Sequence, residues 1–216
     1  MYRQIQEEVQ DKGVCLVAVS KTKPLEQILE LYHAGQRVFG ENRVQELVPK
    51  HEALPKDIQW HLIGHLQTNK VKYIAPFVAM IESVDSLKLL QEIDKQATRN
   101  NRIIDCLLQF WIALEDTKFG LTLEEARALL DSPEYAALQH VRVAGVMGMA
   151  TFTEDMDQVR REFQSLKQIF DALKQDYFPN APWFKEISMG MSGDYQVAME
   201  EGSTMVRIGT LLFGPR

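Results

Sequence analysis

Cysteine is nearly absent from this chain. Its 216 residues hold two, Cys15 and Cys106, both inside apolar, strand-like runs. They read as small buried hydrophobes of a reducing compartment, not as a bridge or a metal site. No apolar run approaches the roughly 20 residues that a membrane helix needs, and Met1-Tyr2-Arg3-Gln4 opens no apolar signal region. A membrane span is therefore excluded as an expectation, and the cytoplasm is the expected compartment. Basic residues do not predominate either. Lys and Arg number 24 against 30 Asp and Glu, a net charge of -6 with no basic stripe, so nucleic acid is not an expected partner. Low-complexity segments, linkers and repeats of fixed period are missing. So are the Gly-Lys-Ser/Thr ending of a P-loop and the three spaced glycines of a dinucleotide fingerprint.

What is present is an alternation. Short β-branched runs are followed by longer segments of helical spacing, which argues for βαβ units and a parallel sheet. A length of 216 residues suits one domain over residues 1–216, near the lower end for a barrel of about 200 to 250 residues. The spacing predicts an opening helix over Tyr2–Asp11 and strands at 14–19, 37–39, 58–63, 77–81, 103–110, 141–149, 183–187 and 204–208. Helices are expected from Pro24 to Gly35, over Val44–Ala53, from Thr68, and along the stripe Leu87, Leu90, Ile93 and Ala97 with Ser83 or Asp85 as cap. Others are expected over Leu121–Leu130 with Thr122 as cap, from Thr153 through Lys174, and from Asp194 through Glu201.

The chain is organised around Lys21. The run Val14-Cys15-Leu16-Val17-Ala18-Val19 reads as a strand buried on both faces, and Ser20-Lys21-Thr22-Lys23-Pro24 follows it. A lysine is thus presented at the C-terminal end of a buried strand, where α/β folds place ligands. Desolvation there would lower its pKa and free an amine able to attack a carbonyl, chemistry for which pyridoxal phosphate is the commonest cofactor. The bland alternative is a lysine that only pairs with a carboxylate. Lys21 and Lys23 share a face of an extended chain, so alternation does not choose between them.

The second signal is Ser188-Met189-Gly190-Met191-Ser192-Gly193-Asp194 after the seventh strand, with Gly209-Thr210 after the eighth. Small residues let backbone N–H groups approach an anion, and barrels commonly bind phosphate with these two loops. Arg207 is a lone charge in an apolar strand, expected to point at a partner rather than into the core. That partner is either a ligand or a structural carboxylate. Gly145 and Gly148 mark close backbone approach, to a flat ligand ring or to crowded neighbours. His61 and His65 lie four apart across strand and loop, so they do not read as a metal pair; His61 reads as hydrogen-bonded near the barrel mouth. Glu115 and Asp116 read as solvated loop acids.

Five ordered segments, Ala18–Pro24, Phe39–Glu46, Trp60–Lys70, Ser188–Asp194 and Gly202–Thr210, together resemble the YggS/PROSC family of pyridoxal phosphate homeostasis proteins. The resemblance covers nearly the whole chain. It implies a single (β/α)8 TIM-type barrel, the third fold type of pyridoxal phosphate proteins, similar to the N-terminal domain of alanine racemase. It implies pyridoxal 5'-phosphate held as a Schiff base on Lys21, rather than Lys23. Arg207 would face the pyridine nitrogen and Asn42 the cofactor or lysine. The loop with Met191, and Ser192, Gly209 and Thr210, would hold phosphate. Lys118 falls at a family-like position. Gln109-Phe110-Trp111-Ile112 departs from the family's turn after the fifth strand. The resemblance further implies a monomer in cofactor homeostasis and delivery to apo-enzymes, without robust catalysis. The alternative is a small amino-acid racemase. Racemisation needs an acid–base group on each face of the α-carbon. Relatives of the racemase type carry the second on a C-terminal β domain, which is not expected here; Tyr195 and His61 are the candidates by chemistry. One cofactor face is then expected to be open to solvent.

Overall fold

The computed structural model of the chain describes residues 1–113 and 119–214. Glu115, Asp116 and Lys118 lie outside the described residues. The strands are β1 (Cys15–Val19), β2 (Val38–Glu41), β3 (Gln59–Leu62), β4 (Met80–Val84), β5 (Ile104–Trp111), β6 (Val141–Met149), β7 (Glu186–Ser188) and β8 (Met205–Ile208). They close in chain order into a parallel barrel, with β8 paired back onto β1. Helix α1 (Tyr2–Asp11) precedes the barrel. The others are α2 (Leu25–His33), α3 (Val44–Ala53), α4 (Val71–Ile74), α5 (Leu87–Arg99), α6 (Leu123–Leu130), α7 (Pro133–Ala136), α8 (Met156–Asp176), α9 (Tyr195–Glu200) and α10 (Thr210–Phe213). This is the (β/α)8 barrel. No helix among the described residues is long and apolar enough to cross a membrane.

Alternation along the strands sorts side chains into two cores. Outward residues such as Phe39, Trp60, Ile81 and Ile187 meet the helices, where Phe163 and Phe184 are also fully buried. Each such burial contributes on the order of 1.5–3 kcal/mol. Inward residues Val17, Met80, Leu107, Ala144, Met147 and Met205 fill the barrel. Val206 and Ile208 face outward against Ile5 and Val9 of α1, which puts Met205 and Arg207 inside. Cys15 packs beside the inner core, and burial followed by the charges of Glu82 and Glu186 pushes its thiol up to about 11. Cys106 is fully buried and burial pushes it up as well. Both thiols stay protonated.

Element ends differ from the expectations in instructive ways. β4 runs Met80–Val84, three residues beyond the predicted 77–81, because Glu82 and Ser83 are buried strand residues with partners, not a loop. With Ser83 in the strand, Ser86 caps α5. Asp155, not Thr153, caps α8 by accepting the Asp157 and Gln158 amides. β7 starts at Glu186, and Trp183 stands exposed before it. Phe110 belongs to the helix-facing core, so the departure after β5 fills space there.

The two glycines of β6 sit where neighbours crowd the backbone. A β-carbon at Gly145 would lie 1.8 Å from the Glu186 carbonyl oxygen, and one at Gly148 would meet Ile112 and Leu166 at 2.9 and 3.0 Å. Gly145→Ala is therefore expected to lower stability by about 1–3 kcal/mol. Gly193→Ala, with nothing within 4 Å of the added carbon, should stay within about 0.5 kcal/mol of the parent. Urea unfolding followed by circular dichroism checks both.

Candidate functional site

A cavity of about 360 Å³ opens at the C-terminal mouth of the barrel, a volume within the small-molecule range. Lys21, Asn42, Met191, Ser192, Arg207, Gly209 and Thr210 all line it. They come from the ends of β1, β2, β7 and β8. The structure thus brings every sequence-predicted binding residue to one place. Sequence reasoning did not single out the opposite wall, formed by Met149, Thr151, Phe152 and Met156 where β6 passes into α8. It placed Asp194 in the loop after the seventh strand but gave it no part in the site.

Lys21 sits in a tight turn. The Ser20 amide donates the last β1–β2 bond to the Gly40 carbonyl, and the Lys23 amide closes the turn on the Ser20 carbonyl at 3.0 Å. Thr22 takes a left-handed φ of +63°, uncommon for a β-branched residue. The turn ends the extended geometry that left the two lysines equivalent. Lys23 Nζ donates to the carbonyls of Phe213 and Gly214 at 3.2 and 3.0 Å, and Lys23 does not line the cavity.

Arg207 rises from the barrel interior to the cavity floor. It points inward, against expectation, because strand parity puts Val206 and Ile208 outside. Its Nη1 donates to the Ser188 hydroxyl at 2.6 Å and its Nη2 to the Gly148 carbonyl at 3.0 Å. Glu82 Oε2 lies 3.9 Å away and accepts from the Ser188 hydroxyl, while Glu82 Oε1 meets His61 Nδ1 at 2.7 Å. Arg207 thus has structural partners, the ion pair with Glu82 among them, and it also lines the cavity. Burial raises the Glu82 carboxyl, but His61, Arg207 and Ser188 together hold it below its usual range. Burial also lowers Arg207, opposed by Glu82 and Asp194, and a guanidinium remains charged. His65 pairs separately with Asp85 at 3.6 Å, so the two histidines face different carboxylates.

The loops after β7 and β8 touch. The Gly209 amide reaches the Ser192 hydroxyl at 3.4 Å, and the Met191 amide donates to Asp194 Oδ1. Burial raises Asp194, against the lowering effect of that amide and of Arg207. Asn42 Oδ1, also at the cavity, is buried with no hydrogen-bond partner among the described residues. Neither candidate second base is here. Tyr195 donates to Glu8 Oε2 at 2.9 Å under α1, and burial, then that bond, pushes it up to about 12. His61 lies below, in the barrel.

The strands, the mouth cavity and a lysine ending β1 define a barrel of the type found at the N-terminus of alanine racemases. A family model for the alanine racemase N-terminal domain matches residues 2–216. The solved alanine racemase of Bartonella henselae shares the fold at 16% identity and a TM-score of 0.73, over 99% of this chain and 57% of that one. PipY of Synechococcus elongatus, solved with pyridoxal phosphate bound, is 38% identical with a TM-score of 0.81, over 94% of this chain and 93% of that one. A pyridoxal phosphate homeostasis protein of Aquifex aeolicus is 45% identical over 203 residues, 93% of this chain and 86% of the relative. The chain belongs to the pyridoxal phosphate homeostasis protein family.

Two outcomes are expected at the floor. Glu82→Leu leaves Arg207 buried without its carboxylate and should cost about 3–5 kcal/mol in urea unfolding. Because the folded pKa of Glu82 is depressed, its charge adds stability above the unfolded value of about 4.3 and loses it as pH falls through the folded value. Melting temperature should therefore fall less steeply in acid for Glu82→Gln than for the parent.

Proposed function

We propose that this chain binds pyridoxal 5'-phosphate in the mouth cavity, holds it as a Schiff base on Lys21, and serves cofactor homeostasis and delivery to apo-enzymes without robust catalysis. The observation that carries this is the convergence of the β1 lysine, the β8 arginine and both small-residue loops on one cavity. The residues fit the ligand. Lys21 and Arg207 bring positive charge to an anionic guest, and the unpartnered Asn42 Oδ1 awaits a donor from the cavity. When bound, the cofactor supplies an aldehyde for the lysine amine. Ser192, Gly209 and Thr210 then hold the phosphate, helped by the placement of α10 directly after β8.

With the cofactor bound, Arg207 would be the residue facing its ring nitrogen, and a guanidinium there would donate rather than protonate, which would leave the ring a weaker electron sink. Glu82 and Ser188 fix the guanidinium from below. Acid–base work on both faces of an α-carbon needs a second group beside Lys21. Among the described residues, the cavity wall carries no tyrosine, histidine or cysteine, and its one carboxylate, Asp194, is engaged by the Met191 amide. The wall near Phe152, which is 95% exposed, leaves the mouth open to water, a poor setting for charge stabilisation.

The test is α-proton exchange in heavy water, read by NMR, with loaded protein and a panel of L- and D-amino acids. The expected result is no exchange over many turnovers from protein that keeps its Schiff-base absorbance, and loss of that absorbance in Lys21→Ala. Sustained exchange that vanishes in Lys21→Ala would make the protein an enzyme instead.

A further inference from the structure

The residues on both sides of Lys21 are gripped from β2 and α3. The Ser20 hydroxyl donates to Glu41 Oε1 at 2.7 Å, and Lys50 Nζ donates to the Ser20 carbonyl at 2.8 Å. The Thr22 amide donates to Glu46 Oε2 at 2.7 Å. Lys50 ties these anchors together, at 2.6 Å from Glu41 Oε1 and 3.6 Å from Glu46 Oε2. The Glu41 and Lys50 side chains are 0% and 9% exposed. A buried ion pair is a weak source of net stability, because desolvation offsets the attraction. Its placement here has another consequence. Thr22 holds a left-handed conformation that a β-branched residue adopts only when its surroundings impose it. The Glu46 carboxylate accepts from the Thr22 amide in that conformation of the turn, and the turn decides where the Lys21 stem leaves the backbone.

We propose that Glu46, together with Glu41 and Lys50, positions Lys21: a clamp on the Ser20–Lys23 turn that sets the direction of the lysine amine at the cavity. None of the three lines the cavity, so they act through the backbone and not by contact with a ligand. The proposal rests on Lys21 as the cofactor-bearing lysine.

Glu46 is the member to change, because its side chain is 25% exposed. Glu46→Leu removes the acceptor; Glu46→Gln keeps an acceptor oxygen for the Thr22 amide. Two rates are measured, hydrogen exchange of the Thr22 amide in unloaded protein and release of pyridoxal phosphate from loaded protein. Loss of one hydrogen bond to a charged group predicts about a tenfold rise in both rates for Glu46→Leu. Glu46→Gln should stay within about twofold of the parent, since the bond is retained. Glu46→Ala takes the place of the leucine variant if that protein does not fold. Parental rates in the variant lacking the acceptor overturn the clamp, and so does faster amide exchange with unchanged release. Lys21→Ala separates the underlying reading. If it keeps the parental absorbance and release, Lys21 is not the cofactor lysine and both claims fall. If it loses the absorbance while the Glu46 variants behave as the parent, the clamp alone is wrong.

Discussion

An arginine inside a closed barrel sets the terms for much of this structure. Once β8 places Val206 and Ile208 against α1, Arg207 must point inward. Its charge then needs partners from strands that never meet in sequence. Ser188 arrives from β7, Glu82 from β4, and His61 from β3 to hold Glu82. These residues form a polar layer above the apolar filling of Val17, Met80 and Met205. Low dielectric makes each bond strong and each missing partner costly. The layer is therefore an all-or-none floor, and the cavity stands on it.

The rim beside β8, at the end of β1, is built differently. Lys21 stands on a turn whose flanks are held by hydrogen bonds from β2 and α3. Floor and turn are independent supports for two cations facing one space. The loops after β7 and β8 close the third side, joined through Ser192 and Gly209. The barrel supplies what this arrangement needs, since parallel strands bring all of their C-terminal ends to one mouth.

Much of this was legible in the residues, and the reasons are local. The apolar run before Lys21 announces a buried strand, and the Gly–Ser loops announce close backbone approach without any knowledge of what lies opposite. The choice between Lys21 and Lys23 was not legible from alternation, because a turn with left-handed Thr22 intervenes. Glu82 fell outside the predicted strand, which ended at Ile81, although it lies inside β4. A lone acid beside a serine looks like a loop until three distant strands supply its partners. Tyr195 and His61 looked available as bases on chemistry alone. Only the fold reveals that one faces α1 and the other lies in the barrel floor. The wall after β6 carries Met149, Phe152 and Met156, residues with no chemical signature to single them out.

The central claim is that one lysine, fixed by its turn, carries the cofactor. The most direct measurement is a peptide map of protein loaded with pyridoxal phosphate and reduced with borohydride. The account predicts the pyridoxyl group on Lys21. Its appearance on Lys23, whose amine is held by the Phe213 and Gly214 carbonyls, or its absence from both, would contradict the account.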